Sequence, residues 1–282
     1  MVTSQEIRLR DGRVLRVHDA GAGSDDAADA FTVLWYHGSP QTGAPLEPLL
    51  KASAARGIRL VSYGRPGYGG SSPLPGRDVA SAAWDVEQLA DALGLHRFAV
   101  MGASGGGPHA LACAALLPGR VIAAACLASL APFETDAGFD WFDGMAGGGP
   151  SLRAALRGRR DRESFEETDE FDPECFTEED WAALEGAWSS LGADVGVASA
   201  AGPGGLIDDD LAYVAAWGFD VADIAAPVLL VQGGRDRVVP PSHAERLLRR
   251  CRFGELWLRP RDGHISVLDA APLALEWLRV HS

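Results

Sequence analysis

Residues 100–119 read VMGASGGGPHALACAALLPG and set one serine, Ser104, among glycines at 102, 105, 106 and 107, with an apolar run on either side. The G-x-S-x-G pattern over residues 102–106 is weak evidence by itself in a chain with 34 glycines. Its context adds weight: RFAVMG before it reads as a buried strand, and PHALACAALL after it as an apolar helix. A sharp turn from strand to helix strains the backbone at its apex, and residues without side chains let the two elements approach closely there. Ser104 is then expected to project its hydroxyl from a helix N-terminus, where the Gly105 amide can donate to an oxygen gaining negative charge. A serine hydroxyl attacks only when a base takes its proton, and an imidazole base needs a carboxylate to orient it. Asp236 in GGRDRVVP and His264 in RPRDGHIS supply both, after the strand-like runs APVLLVQ and ELWL. Such a set performs acyl transfer.

A second donor should come from the loop after an earlier strand. FTVLWYHGSP offers it: His37-Gly38 ends the strand, Ser39 has a free amide and Pro40 has none. The Ser39 and Gly105 N–H groups are therefore the expected oxyanion hole. His37, Phe139, Trp141, Phe142 and Met145 are candidates for a substrate pocket, although the four residues between 139 and 145 could equally join an insert to the core. His109 lies five residues past Ser104, more than one helical turn, and reads as a packing residue. His18, His96, His243 and His281 read as surface or core histidines. Asp262, two residues before His264, reads as loop-forming.

These residues need a scaffold that brings several strand ends together. EIRLR, Asp11-Gly12 and RVLRVHD suggest a hairpin with a tight Asp-Gly turn. FTVLWYHG, IRLVSYG, RFAVMG, VIAAACLAS and APVLLVQGG are continuous apolar runs of the kind buried on both faces of a parallel sheet. Residues 79–93 alternate apolar and acidic positions at helical spacing and end at Gly94; Ser242 and Glu245 suggest a capping box opening a helix through Arg250. Strands alternating with helices imply an α/β fold with a mostly parallel sheet. From about residue 133 to 221 only helical patterns occur, including Trp181, Leu184, Trp188 and Leu191 after a possible Thr177 N-cap. The expected organisation is a core over 1–132 and 222–282 with a helical insert over 133–221. Within the insert, residues 161–180 hold eleven acids and one arginine. A solvated surface is favoured over a substrate-selecting rim for that block.

Composition narrows the partners. The chain is 47% hydrophobic, with 39 acids against 25 bases for a formal charge of −14, a balance that repels nucleic acid and anionic lipid. Its N-terminal residues lack the apolar core of a signal peptide, and no run suits a membrane span. A cytoplasmic protein acting on a small molecule is expected. Cys113, Cys126, Cys175 and Cys251 lack the close spacing of a metal or redox site and read as buried thiols.

HGSP, YGRPGYGGSS at residues 63–72, GASGG, GGRDRVVP and DGH, in that order, resemble the α/β-hydrolase superfamily over nearly the whole chain. The chain order Ser104, Asp236, His264 agrees with that resemblance. It implies an α/β-hydrolase fold with a helical lid, an acyl-enzyme on Ser104, and no metal or organic cofactor. Similar bacterial members often read aspartate where Gly64 stands. Some bring the acid from the end of the strand before the lid, which makes Glu134 and Asp136 rivals to Asp236. Serine at residue 104 separates the chain from dehalogenases and epoxide hydrolases of this fold, which use an aspartate nucleophile. The resemblance implies foremost a hydrolase of small to medium carboxylic esters. A proline-iminopeptidase-like aminopeptidase, a lactonase, a thioesterase, a carbon–carbon bond hydrolase or a non-catalytic ligand sensor would use the same scaffold.

Overall fold

The computed structural model describes residues 2–21, 30–134 and 139–281. Each of the five continuous apolar runs becomes a strand of one eight-stranded sheet. Its strands are β1 (Thr3–Arg8), β2 (Val14–Asp19), β3 (Thr32–Tyr36), β4 (Arg59–Tyr63), β5 (Phe98–Ala103), β6 (Val121–Leu127), β7 (Val228–Gly233) and β8 (Gly254–Arg259), in the order β1-β2-β4-β3-β5-β6-β7-β8. The β1–β2 and β2–β4 pairs are antiparallel; every other neighbour is parallel. The helices are α1 (Glu47–Ala54), α2 (Ser81–Ala92), α3 (Gly106–Leu116), α4 (Gly149–Leu156), α5 (Arg159–Glu166), α6 (Glu178–Glu185), α7 (Ser189–Ala200), α8 (Gly204–Tyr213), α9 (Pro241–Arg250) and α10 (Ala271–Val280).

The period-two geometry of strands explains why the runs are largely apolar at both parities. Leu34, Tyr36, Val100 and Leu230 point to one core with residues of α2, α3 and α9, whereas Val33, Trp35, Met101 and Val231 point to the other with residues of α1 and α10. Two covered faces require apolar residues at both parities. The first hairpin differs from the tight turn expected. Leu9 N–H donates to the Arg13 carbonyl at 2.8 Å, so three residues form the loop and only Gly12 takes the left-handed region, at φ 88°. Asp11 instead accepts from the Arg13 amide at 3.0 Å.

β4 lies on one side of β3, and the chain then crosses to lay β5 on the other. That reversal opens a crevice at the carboxyl ends of β3 and β5, where open α/β sheets place ligands. The register pairs Tyr36 with Gly102, so the loop beginning at His37 faces the turn holding Ser104.

Between β6 and β7 the described residues hold α4 to α8 and no strand. The N-terminus of α6 is capped as expected: the Thr177 hydroxyl accepts from the Asp180 amide, and the Asp180 carboxylate accepts from the Thr177 amide. Two expectations are corrected. Trp181, Leu184, Trp188 and Leu191 do not share a helix, because Gly186 ends α6 with φ −105° and ψ −117° and α7 starts after Trp188. Nor does Ser242 cap α9. Pro241, whose ring presets φ for a first helical turn, opens that helix after Pro240, and the Ser242 hydroxyl is buried with no hydrogen-bond partner among the described residues.

Candidate active site

Ser104 sits at the apex between β5 and α3 with φ 51°, in the left-handed region. Its own amide donates to the Leu127 carbonyl at 2.8 Å, which ties the turn to the end of β6. The neighbouring glycines are required by contact. A Cβ on Gly102 would lie 2.5 Å from the Gly106 carbonyl oxygen, and one on Gly106 would run into the Tyr36 carbonyl of β3.

Two loops reach this apex from farther along the sheet. His264 Nε2 lies 3.0 Å from Ser104 Oγ, and its Nδ1 lies 2.8 Å from Asp236 Oδ2. Asp236 is buried just after β7, where its Oδ1 accepts from the Val238 and Val239 amides at 2.8 Å each. These bonds fix the carboxylate's orientation. With Nδ1–H donating to Asp236, Nε2 is left to accept the serine proton. Burial pushes the imidazole pKa down, but the Asp236 charge and hydrogen bond, helped by Asp180, leave it raised above the ordinary histidine value.

Asp180 was not singled out from sequence. Besides capping α6, its fully buried carboxylate accepts from the backbone amides of His264 (3.1 Å), Ile265 (2.8 Å) and Ser266 (2.8 Å), and from the Ser266 hydroxyl (2.8 Å). Burial raises this carboxyl, and the hydrogen bonds outweigh it and hold the pKa below the usual aspartate value. Gly263 is needed here because a side chain would collide with that carboxylate.

Ser39 lines the crevice beside Ser104, and Gly105 follows Ser104 at the start of α3. Neither residue's amide has an acceptor among the described residues. The Ser39 hydroxyl is committed elsewhere: it donates to Asp209 Oδ2 at 2.7 Å and accepts from Arg65 Nη2 at 2.7 Å. His37 is wholly buried, its Nδ1 on the Gly38 carbonyl at 2.6 Å and its Nε2 accepting from the Arg65 amide at 3.1 Å. It therefore shapes the loop and does not line the cavity, correcting that expectation. Gly64 has no room for the aspartate of similar proteins, since a Cβ there would lie 2.5 Å from the Tyr68 carbonyl oxygen.

A cavity of about 670 Å³ opens onto Ser104 and His264, within the range that holds small organic ligands. Its walls are mainly apolar, with Trp35, Phe171, Trp181, Leu191, Val195 and Leu206 among them, and Asp169, Glu170 and Asp172 add carboxylates. Phe139, Trp141, Phe142 and Met145 are absent from this lining. Trp141 and Phe142 are core residues and Phe139 and Met145 pack against the same core, with Trp141 Nε1 donating to the Ala131 carbonyl at 2.9 Å. Of their two readings, the structure selects attachment of the insert. Glu134 pairs with Arg246 and Arg250 and makes no bond to His264; Asp136 lies outside the described residues. Asp262 pairs with Arg259 at the end of β8, and all four cysteines are buried and free. His109 packs against Tyr213 with its Nε2 3.5 Å from Asp209 Oδ1, and burial pushes its pKa down to about 4. No sequence motif marks Asp209 or Tyr213. The only sequence signal is Asp208-Asp209-Asp210 set among apolar residues of one helical pattern, and the structure buries all three acids.

A family model described as the alpha/beta hydrolase fold matches residues 32–271. A protein of Synechocystis sp. that carries a non-heme chloroperoxidase name is 27% identical over 263 residues, 90% of this chain and 88% of that one. Among solved structures, a thermophilic esterase from Thermogutta terrifontis superposes with a TM-score of 0.73 at 21% identity, over 99% of each chain. The enol-lactonase of Burkholderia xenovorans LB400 does so with a TM-score of 0.73 at 17% identity, over 98% of this chain and 99% of its own. No described helix is long and apolar enough to cross a membrane.

Proposed function

The chain belongs to the α/β-hydrolase fold family, and on that premise we propose that it is a serine hydrolase cleaving a carboxylic ester, or a related acyl bond, of a small to medium substrate. The observation that carries this reading is the continuous line from Ser104 Oγ through His264 to Asp236, open to the cavity at its serine end. His264 Nε2 takes the serine proton as Oγ attacks the acyl carbon. The amides of Ser39 and Gly105 receive the charge that develops on the carbonyl oxygen. His264 then returns the proton to the departing alcohol, leaving an acyl group on Ser104. Water repeats the sequence with His264 as base, and the acid leaves.

The largely apolar cavity favours a neutral acyl chain of medium length. The three carboxylates on its wall favour a second reading, an aminopeptidase that holds the substrate's free amine against them. Steady-state rates on p-nitrophenyl esters of increasing acyl length, beside prolyl arylamides, separate the two. Esters are expected to be the better substrates, with a maximum at intermediate length; preference for the arylamides would replace the ester reading.

The pH dependence follows from the same contacts. Protonated His264 cannot act as base, so kcat/KM is expected to fall as pH drops through the raised imidazole pKa. Asp180→Asn removes a nearby charge that helps hold that pKa up. The acid limb of the profile should therefore move to lower pH, while urea denaturation should show a loss of about 2 kcal/mol or more from weakened charge-assisted bonds. An unmoved acid limb would remove Asp180 from the electrostatics of His264.

A further inference from the structure

The two amides assigned to the oxyanion hole come from different loops, yet both residues are held by one face of α8. Asp209 and Tyr213 are four residues apart on that helix and so lie on one side of it. Asp209 is fully buried and serves two clusters. Its Oδ2 accepts from the Ser39 hydroxyl at 2.7 Å, Arg65 Nη2 at 2.5 Å and the Tyr68 hydroxyl at 2.8 Å; its Oδ1 accepts from Arg77 Nη2 at 2.7 Å. Burial alone would raise this carboxyl, but Arg65 and Arg77 overcome it and keep the pKa well below the usual aspartate value. Arg65 Nη1 also donates to the His37 carbonyl, so the carboxylate governs the loop at both His37 and Ser39. Tyr213, one turn on, donates its hydroxyl to the Gly105 carbonyl at 2.8 Å and lies 3.3 Å from Ser39 Oγ. A side chain at Gly105 would sit 2.5 Å from that tyrosine oxygen and 2.6 Å from Ser39 Oγ.

We propose that α8 is a working part of the oxyanion hole, with Asp209 and Tyr213 as positioning residues that set the Ser39 and Gly105 amides in register across the crevice. This rests on the serine-hydrolase reading above. Preorganised donors act only if they already point to where the charge will appear, and their placement must be held by groups that do not themselves yield. A buried carboxylate with two guanidinium partners is such a group. The helical insert is then required for the chemistry as well as for covering the cavity. When α8 is undocked, Ser104, His264 and Asp236 can remain in line while the two amides fall out of register.

The test compares wild type, Tyr213→Phe and Asp209→Asn by the rate and final extent of fluorophosphonate labelling, and by kcat and KM on a p-nitrophenyl ester across pH. Tyr213→Phe should lower the labelling rate and kcat by about tenfold, with KM within about twofold and the acid limb of the profile unmoved, as misplacement of a donor predicts. Labelling should still reach one probe per chain, which a partly unfolded sample would not do. Asp209→Asn should lower kcat by about a hundredfold if it folds; if it does not, Tyr213→Phe alone decides. Equal labelling rates and kcat in wild type and Tyr213→Phe, a change confined to KM, or a shifted acid limb would overturn the assignment. Absence of labelling and turnover in folded wild type would instead remove the serine-hydrolase reading and this inference with it.

Discussion

Replacing Ser104 with alanine is expected to abolish fluorophosphonate capture and to lower ester turnover by on the order of 10⁴-fold or more, while leaving the fold intact. The size of the effect follows from the geometry. Ser104 Oγ is the atom 3.0 Å from the imidazole nitrogen free to accept a proton, and Ser104 lines the cavity. Alanine removes that oxygen without adding volume. The left-handed φ of 51° is strained for either residue, so the substitution neither relieves nor adds much backbone cost. The amide bond to Leu127 is also retained. Thermal unfolding should shift by no more than a few degrees. Intact-protein mass before and after labelling checks the chemistry. Labelling of the alanine variant at Ser39 or Ser151, the other serines on the cavity wall, would relocate the nucleophile, and undiminished turnover would end the mechanism.

Asp236→Asn should be nearly as damaging, lowering kcat by about 10⁴-fold, because the surroundings dictate which way the new amide must turn. The Val238 and Val239 amides both donate to Oδ1, so the asparagine oxygen is drawn to that position. Its NH₂ group then faces His264 Nδ1. The imidazole can meet a donor there only by carrying its proton on Nε2, where it points at Ser104 and cannot accept. The variant thus keeps its shape and holds the wrong tautomer. Glu134→Gln is the informative comparison: Glu134 is engaged by Arg246 and Arg250, and its replacement is expected to change kcat by less than about threefold. A larger loss from Glu134→Gln than from Asp236→Asn would transfer the carboxylate's role to the segment after β6.

The strands were legible because a sheet covered on both faces favours apolar residues at both parities, so β3 to β7 announce themselves as largely apolar runs, with only isolated polar residues such as Ser62 and Gln232. Ser104, Asp236 and His264 were legible for a related reason. Ser104 and Asp236 stand just after such runs, His264 follows the partly exposed β8 across a short loop, and parallel strands deliver their carboxyl ends to one edge. The insert was readable only as helical. Nothing local distinguishes an aromatic that lines a cavity from one that fastens a helix to a core, and the cluster from Phe139 to Met145 was consistent with both until packing placed it against Ala131 and His243. The end of α6 at Gly186 shows the same limit, since helical spacing continues past a break that one backbone angle enforces.

By itself, then, the sequence determined the mostly parallel α/β sheet, the strained turn at Ser104 and the order of the residues that meet there, because apolar periodicity and glycine requirements are local in the chain. Tertiary structure alone decided which buried charges hold the site. Asp180 reads as one acid in a block of eleven and proves to cup the backbone of His264, 84 residues away. Asp209 reads as the middle of three acids and proves to bind Ser39, 170 residues away, together with Arg65 and Arg77. A carboxylate is tolerated in a core only when distant donors converge on it, and that convergence is a property of the folded chain that no neighbouring residue encodes.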